Sequence, residues 1–205
     1  WLERLEKEYE TIRDELTNAL NNPDLESLGN SIWSKAADAD AVAYGPNWRT
    51  LVLQDRCTWD DTNTTLFPKT TRLVREASSP SVEVFFARQP PGTGIKPHTD
   101  FTNFILTSHV GLDVPENECW FDVGGEKHWW KNGKACVADT SFIHSTDNFS
   151  KSKDRYVLII RFWHPDLSEL ERSAVQFLFD VLGDSSEEGI RYATLRAEER
   201  RKGLI

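Results

Sequence analysis

The sequence predicts a mainly β domain, a sandwich or jelly roll, with helices at both ends, and three observations carry that reading. Apolar residues recur every three or four positions through the first 20 residues. From about residue 50 the pattern changes to short runs rich in Val, Ile, Phe and Trp, separated by Gly, Pro, Asn and Asp. After Pro165 helical spacing returns.

The elements follow in order. Trp1 to Leu20 places apolar residues at 1, 5, 9, 12, 16 and 19 with Glu, Lys and Arg between them, an amphipathic helix that either docks on the domain or ends a preceding helical region. Residues 21 to 31 are polar and turn-like, opening on Asn21-Asn22-Pro23-Asp24. Strands are expected over 50–54, 81–87, 103–112, 118–123, 135–138 and 155–163. The turns between them include Pro90-Pro91-Gly92-Thr93-Gly94, Gly124-Gly125 and Lys131-Asn132-Gly133-Lys134, the last read as a hairpin with Asn-Gly at its tip. Beyond Pro165, Asp166 can cap a helix with Glu169 completing a capping box; apolar positions 167, 170, 174, 177, 178 and 181 form its buried stripe, and Gly183 closes it. Arg191 to Lys202 reads as a short solvated helix. A length of 205 residues suits a single domain: a helical flank over 1–45, a β core over 46–165 and C-terminal helices over 166–205.

Composition excludes several function classes. Lys+Arg 24 against Asp+Glu 33 leaves a net charge of −9, which repels a phosphate backbone, so nucleic acid is not an expected partner. No apolar run reaches the roughly 20 residues of a membrane-spanning helix. Cys57, Cys119 and Cys136 are an odd number without CxxC spacing, which argues for free thiols over a disulfide framework or a zinc knuckle. Methionine is absent and the chain opens on Trp1, so it is expected to begin inside a longer translation product. Sequons at Asn63 and Asn148 matter only in a secretory compartment, and the choice between cytoplasm and ER lumen stays open.

The five histidines can be weighed singly. In His98-Thr99-Asp100 one residue separates imidazole from carboxylate, and residues i and i+2 of an extended strand face the same side. One strand end can thus offer a nitrogen and an oxygen to one ion, and a second histidine completes the two-histidine, one-carboxylate face that suits non-haem Fe(II). Alone the triplet also reads as a surface histidine beside a solvated aspartate. Its context is a Pro-Pro-Gly-Thr-Gly turn before it, several strand-like runs after it, then His144 in Ser141-Phe142-Ile143-His144-Ser145, and Arg155 opening the most apolar strand. His128 beside Trp129-Trp130 reads as packed among aromatics, His164 as ordering the strand-to-helix corner, and Trp120, Trp129 and Trp130 as core packing for the most part, with a pocket wall as the alternative.

These segments resemble the aspartyl/asparaginyl β-hydroxylases, Fe(II)- and 2-oxoglutarate-dependent oxygenases. The carrying motifs are Pro91-Gly92-Thr93 into Pro97-His98-Thr99, Thr102-Asn103, His109-Val110-Gly111-Leu112, Asp139-Thr140-Ser141-Phe142-Ile143-His144, and Arg155 leading to Trp163-His164-Pro165-Asp166-Leu167, in order across roughly residues 45 to 167. The resemblance implies a double-stranded β-helix of jelly-roll, cupin-like form. It implies iron on His98 and His144, Arg155 against the far (C5) carboxylate of 2-oxoglutarate, His109 near the C1 carboxylate, and O2 as co-reactant. The chain departs from the pattern at three places. Asp100 stands where the best-known animal members have glycine and is expected to restore a carboxylate ligand; Thr107 stands at a cosubstrate arginine; Ala87 stands at a serine near the C5 carboxylate. Arg88, Lys96 or Arg161 are the candidates to take over the lost contacts.

The function so implied is hydroxylation of the β-carbon of Asp or Asn in a peptide or protein. Two alternatives share the core: a hydroxylase of a free amino acid or small carboxylate, with Arg88 or Arg161 as anchor, and a non-catalytic cupin-like binding protein. A zinc hydrolase could use the same ligands, but the sequence offers no activated nucleophile and no placed general base for it.

Overall fold

The structure is a computed structural model and describes residues 1–23, 33–35, 43 and 47–203. Part of the expected turn at 21–31, from residue 24 on, and much of the flank before residue 46 lie outside the described residues. The chain divides into two compact units, Trp1–Phe162 and Trp163–Ile205.

The first unit opens with two helices, α1 (Leu2–Lys7) and α2 (Tyr9–Leu20). The expected single helix is interrupted at Glu8, whose backbone leaves helical geometry at φ −102° and ψ 10°. Strands β1 (Ser34–Lys35), β2 (Arg49–Asp55) and β3 (Thr58–Trp59) lead into helices α3 (Asp61–Leu66) and α4 (Pro68–Glu76). These two helices, inside the stretch read as β core, are a correction to the sequence reading. Their signals are local: the Asp60 carboxylate accepts the Asn63 N–H at 2.6 Å as N-cap, and Pro68 takes the first helical position. Four threonines, poor helix formers in isolation, obscure the pattern between Thr62 and Thr70.

The remaining strands are β4 (Ser81–Gln89), β5 (Thr93–His98), β6 (Ile105–Asp113), β7 (Cys119–Val123), β8 (Glu126–Trp129), β9 (Ala135–Ala138), β10 (His144–Asn148) and β11 (Arg155–Trp163). One sheet runs β1-β2-β4-β11-β6-β9 with β3 beside β2, and the other runs β5-β10-β7-β8. From β4 onward the chain alternates between the two sheets, with only β7 and β8 remaining together. This winding is the double-stranded β-helix of jelly-roll folds. Gly124 and Gly125, at φ +61° and +90°, make the two-residue β7–β8 hairpin turn. The Asn132-Gly133 segment is not a hairpin, because β8 and β9 belong to different sheets. Asn132 instead accepts the Val114 N–H at 2.9 Å, bracing the crossover.

Period two gives the larger sheet two buried faces. Leu51, Leu53, Val84, Phe86, Val110, Leu112, Leu158 and Ile160 point outward and pack with Leu5, Ile12, Leu16, Phe67 and Leu73 of the helices. Ala87, Val157 and Ile159 point inward and pack with Phe121 and Trp130. The N-terminal helices are therefore one wall of the core. Glu15 of α2 reinforces this by accepting the Lys69 and Thr70 N–H groups at 2.8 Å, capping α4 from another element. A buried polar knot joins β4 to β10: Thr146 donates to Gln89 Oε1 at 3.2 Å and Asn148 Nδ2 donates to the Gln89 carbonyl at 3.0 Å. Asn148 is fully buried, so this sequon is no glycosylation acceptor in the folded chain.

The second unit contains α5 (Glu169–Gly183) and α6 (Glu187–Arg201). Its capping box is formed by Ser168 and Glu171, two residues later than the Asp166 and Glu169 expected. The predicted buried stripe is also corrected. Leu170 and Leu178 are exposed, as is Leu182, and the helix buries Gln176. Two helices alone offer too little apolar surface to cover a whole stripe. Arg200 and Asp180, 2.7 Å apart, and the stacked rings of Trp163 and Phe179 tie the unit together.

Ile12 has no exposed surface, so Ile12→Ala should lower unfolding stability by roughly 2–5 kcal/mol through lost transfer energy and a residual cavity. Urea denaturation followed by circular dichroism measures it; an unchanged midpoint would mean that α2 lies outside the cooperative core.

Candidate active site

The inward face of the larger sheet and the facing sheet enclose a cavity of about 280 Å³. At one part of it three side chains converge. His98 ends β5 and His144 begins β10, and the two are direct register partners across the antiparallel pair. Their rings lie 4.2 Å apart between centroids. Asp100, two residues beyond His98, places Oδ1 3.8 Å from His98 Nε2 and 3.7 Å from His144 Nε2. The three candidate ligand atoms all lie within 4.8 Å of one another. The loop carrying Asp100 is pinned by its own N–H, which donates to the Thr140 carbonyl at 3.0 Å.

The histidines are held the same way. His98 Nδ1 sits 2.8 Å from the Lys96 carbonyl and His144 Nδ1 3.0 Å from the Phe142 carbonyl, in each case two residues upstream. A carbonyl can only accept, so in both rings Nδ1 carries the proton and the Nε2 lone pair faces Asp100 Oδ1. Burial pushes the His144 imidazole below its ordinary value, which favours the neutral, ligating form. Two imidazole nitrogens and one carboxylate oxygen are the donor set that suits a ferrous ion with open positions, so these residues fit such a metal.

Elsewhere in the cavity stands Arg155, the first residue of β11, only 1% exposed. Its guanidinium lies over the Trp130 ring, 4.4 Å from the centroid, and Nε has no hydrogen-bond partner among the described residues. Among the described residues no carboxylate lies within ion-pair distance of it, and burial lowers its pKa to about 10. The thiols Cys119 and Cys136 do not compensate the charge, because burial pushes both up to about 11. A buried cation without a carboxylate partner among the described residues can be stabilised by an anion that enters the cavity.

His109 and Thr107 line the same cavity from β6. His109 stacks on Phe121 at 4.7 Å, and burial holds it well below the usual imidazole range, so it is neutral. Its Nδ1 has no partner among the described residues. Thr107 Oγ1 is 3.1 Å from Thr140 Oγ1. The remaining sequence candidates fall differently. Arg88 points to the other face of β4, where its Nε is 2.9 Å from Asp154 Oδ2, so it is removed from the cosubstrate and substrate contacts. The reason is parity: Glu83, Phe85 and Ala87 share the inward face and Arg88 alternates away from them. Lys96 is exposed and absent from the cavity wall. Ala87 packs in the inner apolar cluster. Arg161 does line the cavity, with Nη2 3.5 Å from Asp100 Oδ2 and Nη1 3.0 Å from Glu83 Oε2.

Of the tryptophans, Trp48 lines the cavity; Trp130 lies beneath Arg155, while Trp120 and Trp129 do not contribute to the wall. His128 is exposed on β8, contrary to its expected packing. His164 Nδ1 accepts the Asp166 N–H at 3.3 Å at its corner. Sequence reasoning missed Glu83, Gln54 and Asp55 as wall residues. The signal for Glu83 was present in its alternation with Phe85 and Ala87, a charged residue on a face otherwise apolar.

Comparison with known proteins bears on this arrangement. The rat aspartate beta-hydroxylase domain-containing protein 2 is 37% identical over 91 residues, covering 43% of this chain and 26% of that protein. The human aspartyl/asparaginyl beta-hydroxylase is 32% identical over 109 residues, 53% of this chain and 14% of its own length. The chain thus spans about a quarter or less of these relatives. Among solved structures, the Schizosaccharomyces pombe Cnp3 cupin domain aligns with a TM-score of 0.40 at 10% identity, covering 58% of this chain and 67% of that one. KdgF from Halomonas sp. also gives 0.40, at 11% identity, over 67% of this chain and 92% of that one. The model of the family described as aspartyl/asparaginyl beta-hydroxylase matches residues 6–165, from the α1 helix through the end of β11. With that match running through most of its length, the chain belongs to the aspartyl/asparaginyl β-hydroxylase family.

Proposed function

We propose that this protein is an Fe(II)- and 2-oxoglutarate-dependent dioxygenase that hydroxylates the β-carbon of Asp or Asn residues in a polypeptide. The observation that carries the reading is the pairing, in one cavity, of a two-histidine, one-carboxylate cluster with a buried arginine that has no carboxylate partner among the described residues. A keto diacid offers a chelating end to the cluster and a second carboxylate to the arginine. His98, Asp100 and His144 would hold the ferrous ion, and Arg155 would receive the far carboxylate through its planar fork. Bound there, metal and cosubstrate supply the oxidising chemistry that converts a C–H bond to C–OH.

The chain's own residues do the rest. The carbonyls of Lys96 and Phe142 fix the histidine tautomers before any ligand arrives. Trp130 supports the Arg155 guanidinium from below, so the cation is already in position. Phe121, Ile95 and Ile159 keep the wall apolar and limit water near the reacting carbon. His109 stays neutral and keeps Nδ1 available for a hydrogen bond to a bound group. The family membership supports a polypeptide substrate, and the hydroxylase activity named for the relatives is carried to this chain as part of the proposal.

Four outcomes are expected. In air, with Fe(II) and 2-oxoglutarate, a panel of Asp- and Asn-containing peptides should gain one oxygen atom with matching release of succinate, read by mass spectrometry; release of succinate on none of them would remove the activity. His144→Ala should abolish turnover and metal binding together, measured anaerobically by calorimetry with Mn(II), and full retention of the metal would strike it from the ligands. Arg155→Met should weaken 2-oxoglutarate about 100-fold, equivalent to roughly 3 kcal/mol. The same change should raise the melting temperature of the ligand-free protein, because it deletes an uncompensated buried charge. Unchanged cosubstrate affinity would reassign the carboxylate site.

A further inference from the structure

The two oxygens of Asp100 face different partners. Oδ1 lies 3.8 and 3.7 Å from the two histidine Nε2 atoms, whereas Oδ2 lies 3.5 Å from Arg161 Nη2. Arg161 is in turn held from its other side, Nη1 donating to Glu83 Oε2 at 3.0 Å. All three groups are about four-fifths buried, with side-chain exposures of 18% for Asp100, 19% for Arg161 and 21% for Glu83. Arg161 and Glu83 come from the neighbouring strands β11 and β4, where they are direct register partners.

We propose that Arg161, braced by Glu83, is a positioning residue that turns Asp100 so that Oδ1 alone meets the metal. The inference rests on the metal reading given above. A free carboxylate can grip an ion through one oxygen or both, and two-oxygen binding would consume a position that cosubstrate or oxygen needs. An arginine on Oδ2 withdraws that oxygen and leaves one ligand atom. A lone guanidinium this close to the site would repel a divalent cation. Glu83 offsets that repulsion, since Glu83, Arg161 and Asp100 together carry a single net negative charge facing the ion. The pair therefore orients the ligand without cancelling the attraction of the site for metal.

The opposite role is also chemically definite: Arg161 could compete with the metal for Asp100. The two roles predict opposite signs. Calorimetric titration of Co(II) into the full chain, without cosubstrate, should show Arg161→Gln binding about 10- to 100-fold more weakly than wild type. Arg161→Lys should recover part of the loss, because a cation returns to Oδ2. Glu83→Gln should weaken binding by a smaller factor, and the double variant should be no weaker than Arg161→Gln. The visible Co(II) bands should shift in Arg161→Gln, because Asp100 no longer presents Oδ1 to the metal in a fixed orientation. Binding by Arg161→Gln as tight as wild type, or tighter, overturns the proposal. So does an unchanged Co(II) spectrum. Thermal melts identify a variant that fails to fold, in which case Arg161→Lys and Glu83→Gln carry the comparison. The underlying metal reading fails separately, if Asp100→Ala binds Co(II) as tightly as wild type or if neither binds it.

Discussion

Both faces of the larger sheet are buried, and the chemistry of the cavity follows from that constraint. Each strand must divide its residues by parity between the helical wall and the space between the sheets. In β11 the even residues Leu158 and Ile160 join the helices, and the odd residues Arg155, Val157, Ile159 and Arg161 face inward. A nine-residue apolar strand thereby delivers two arginines to one cavity while its outward face stays buried except for the partly exposed Tyr156. Removing the helices would leave a sheet with one wet face, and the pleat would no longer distinguish a cavity wall from a surface.

The two arginines serve opposite electrostatic ends. Arg155 is buried over an aromatic ring with no carboxylate partner among the described residues, so its charge is a cost that a bound anion relieves. Arg161 is matched on both sides by carboxylates, so its charge is spent within the protein. One strand therefore carries a cation held in reserve for a ligand and a cation committed to structure. Charge count alone would not separate them, since each is an arginine beginning or interrupting an apolar run.

The histidine pair shows how backbone geometry does preparatory work. Each ring donates to the carbonyl two residues upstream. Both sites satisfy this at a strand terminus, His98 at the end of β5 and His144 at the start of β10. The register between those strands then sets the rings side by side. Orientation of the ligands precedes any ion, and the entropy of arranging them is borne by folding.

Much of this was legible in the residues. The alternation from residue 81 on and the turn chemistry of Gly124-Gly125 marked the β core, and the one-residue spacing of His98 and Asp100 placed two ligand types on one side of an extended segment. The order of motifs from Pro91 to Trp163 singled out His144 and Arg155. Other features were hidden because they depend on parity or on partners distant in the chain. Arg88 and Arg161 are equivalent as letters, yet one faces Asp154 and the other Asp100. The helices α3 and α4 were obscured by threonines, and α4 draws part of its cap from Glu15, more than fifty residues upstream. Sequence by itself determined which residue types were available and the local period that forms strands, because those preferences act over a few neighbouring residues. Only the tertiary structure decided which charges meet and which stay unpaired, because that depends on sheet register and on which face of each strand the fold turns inward.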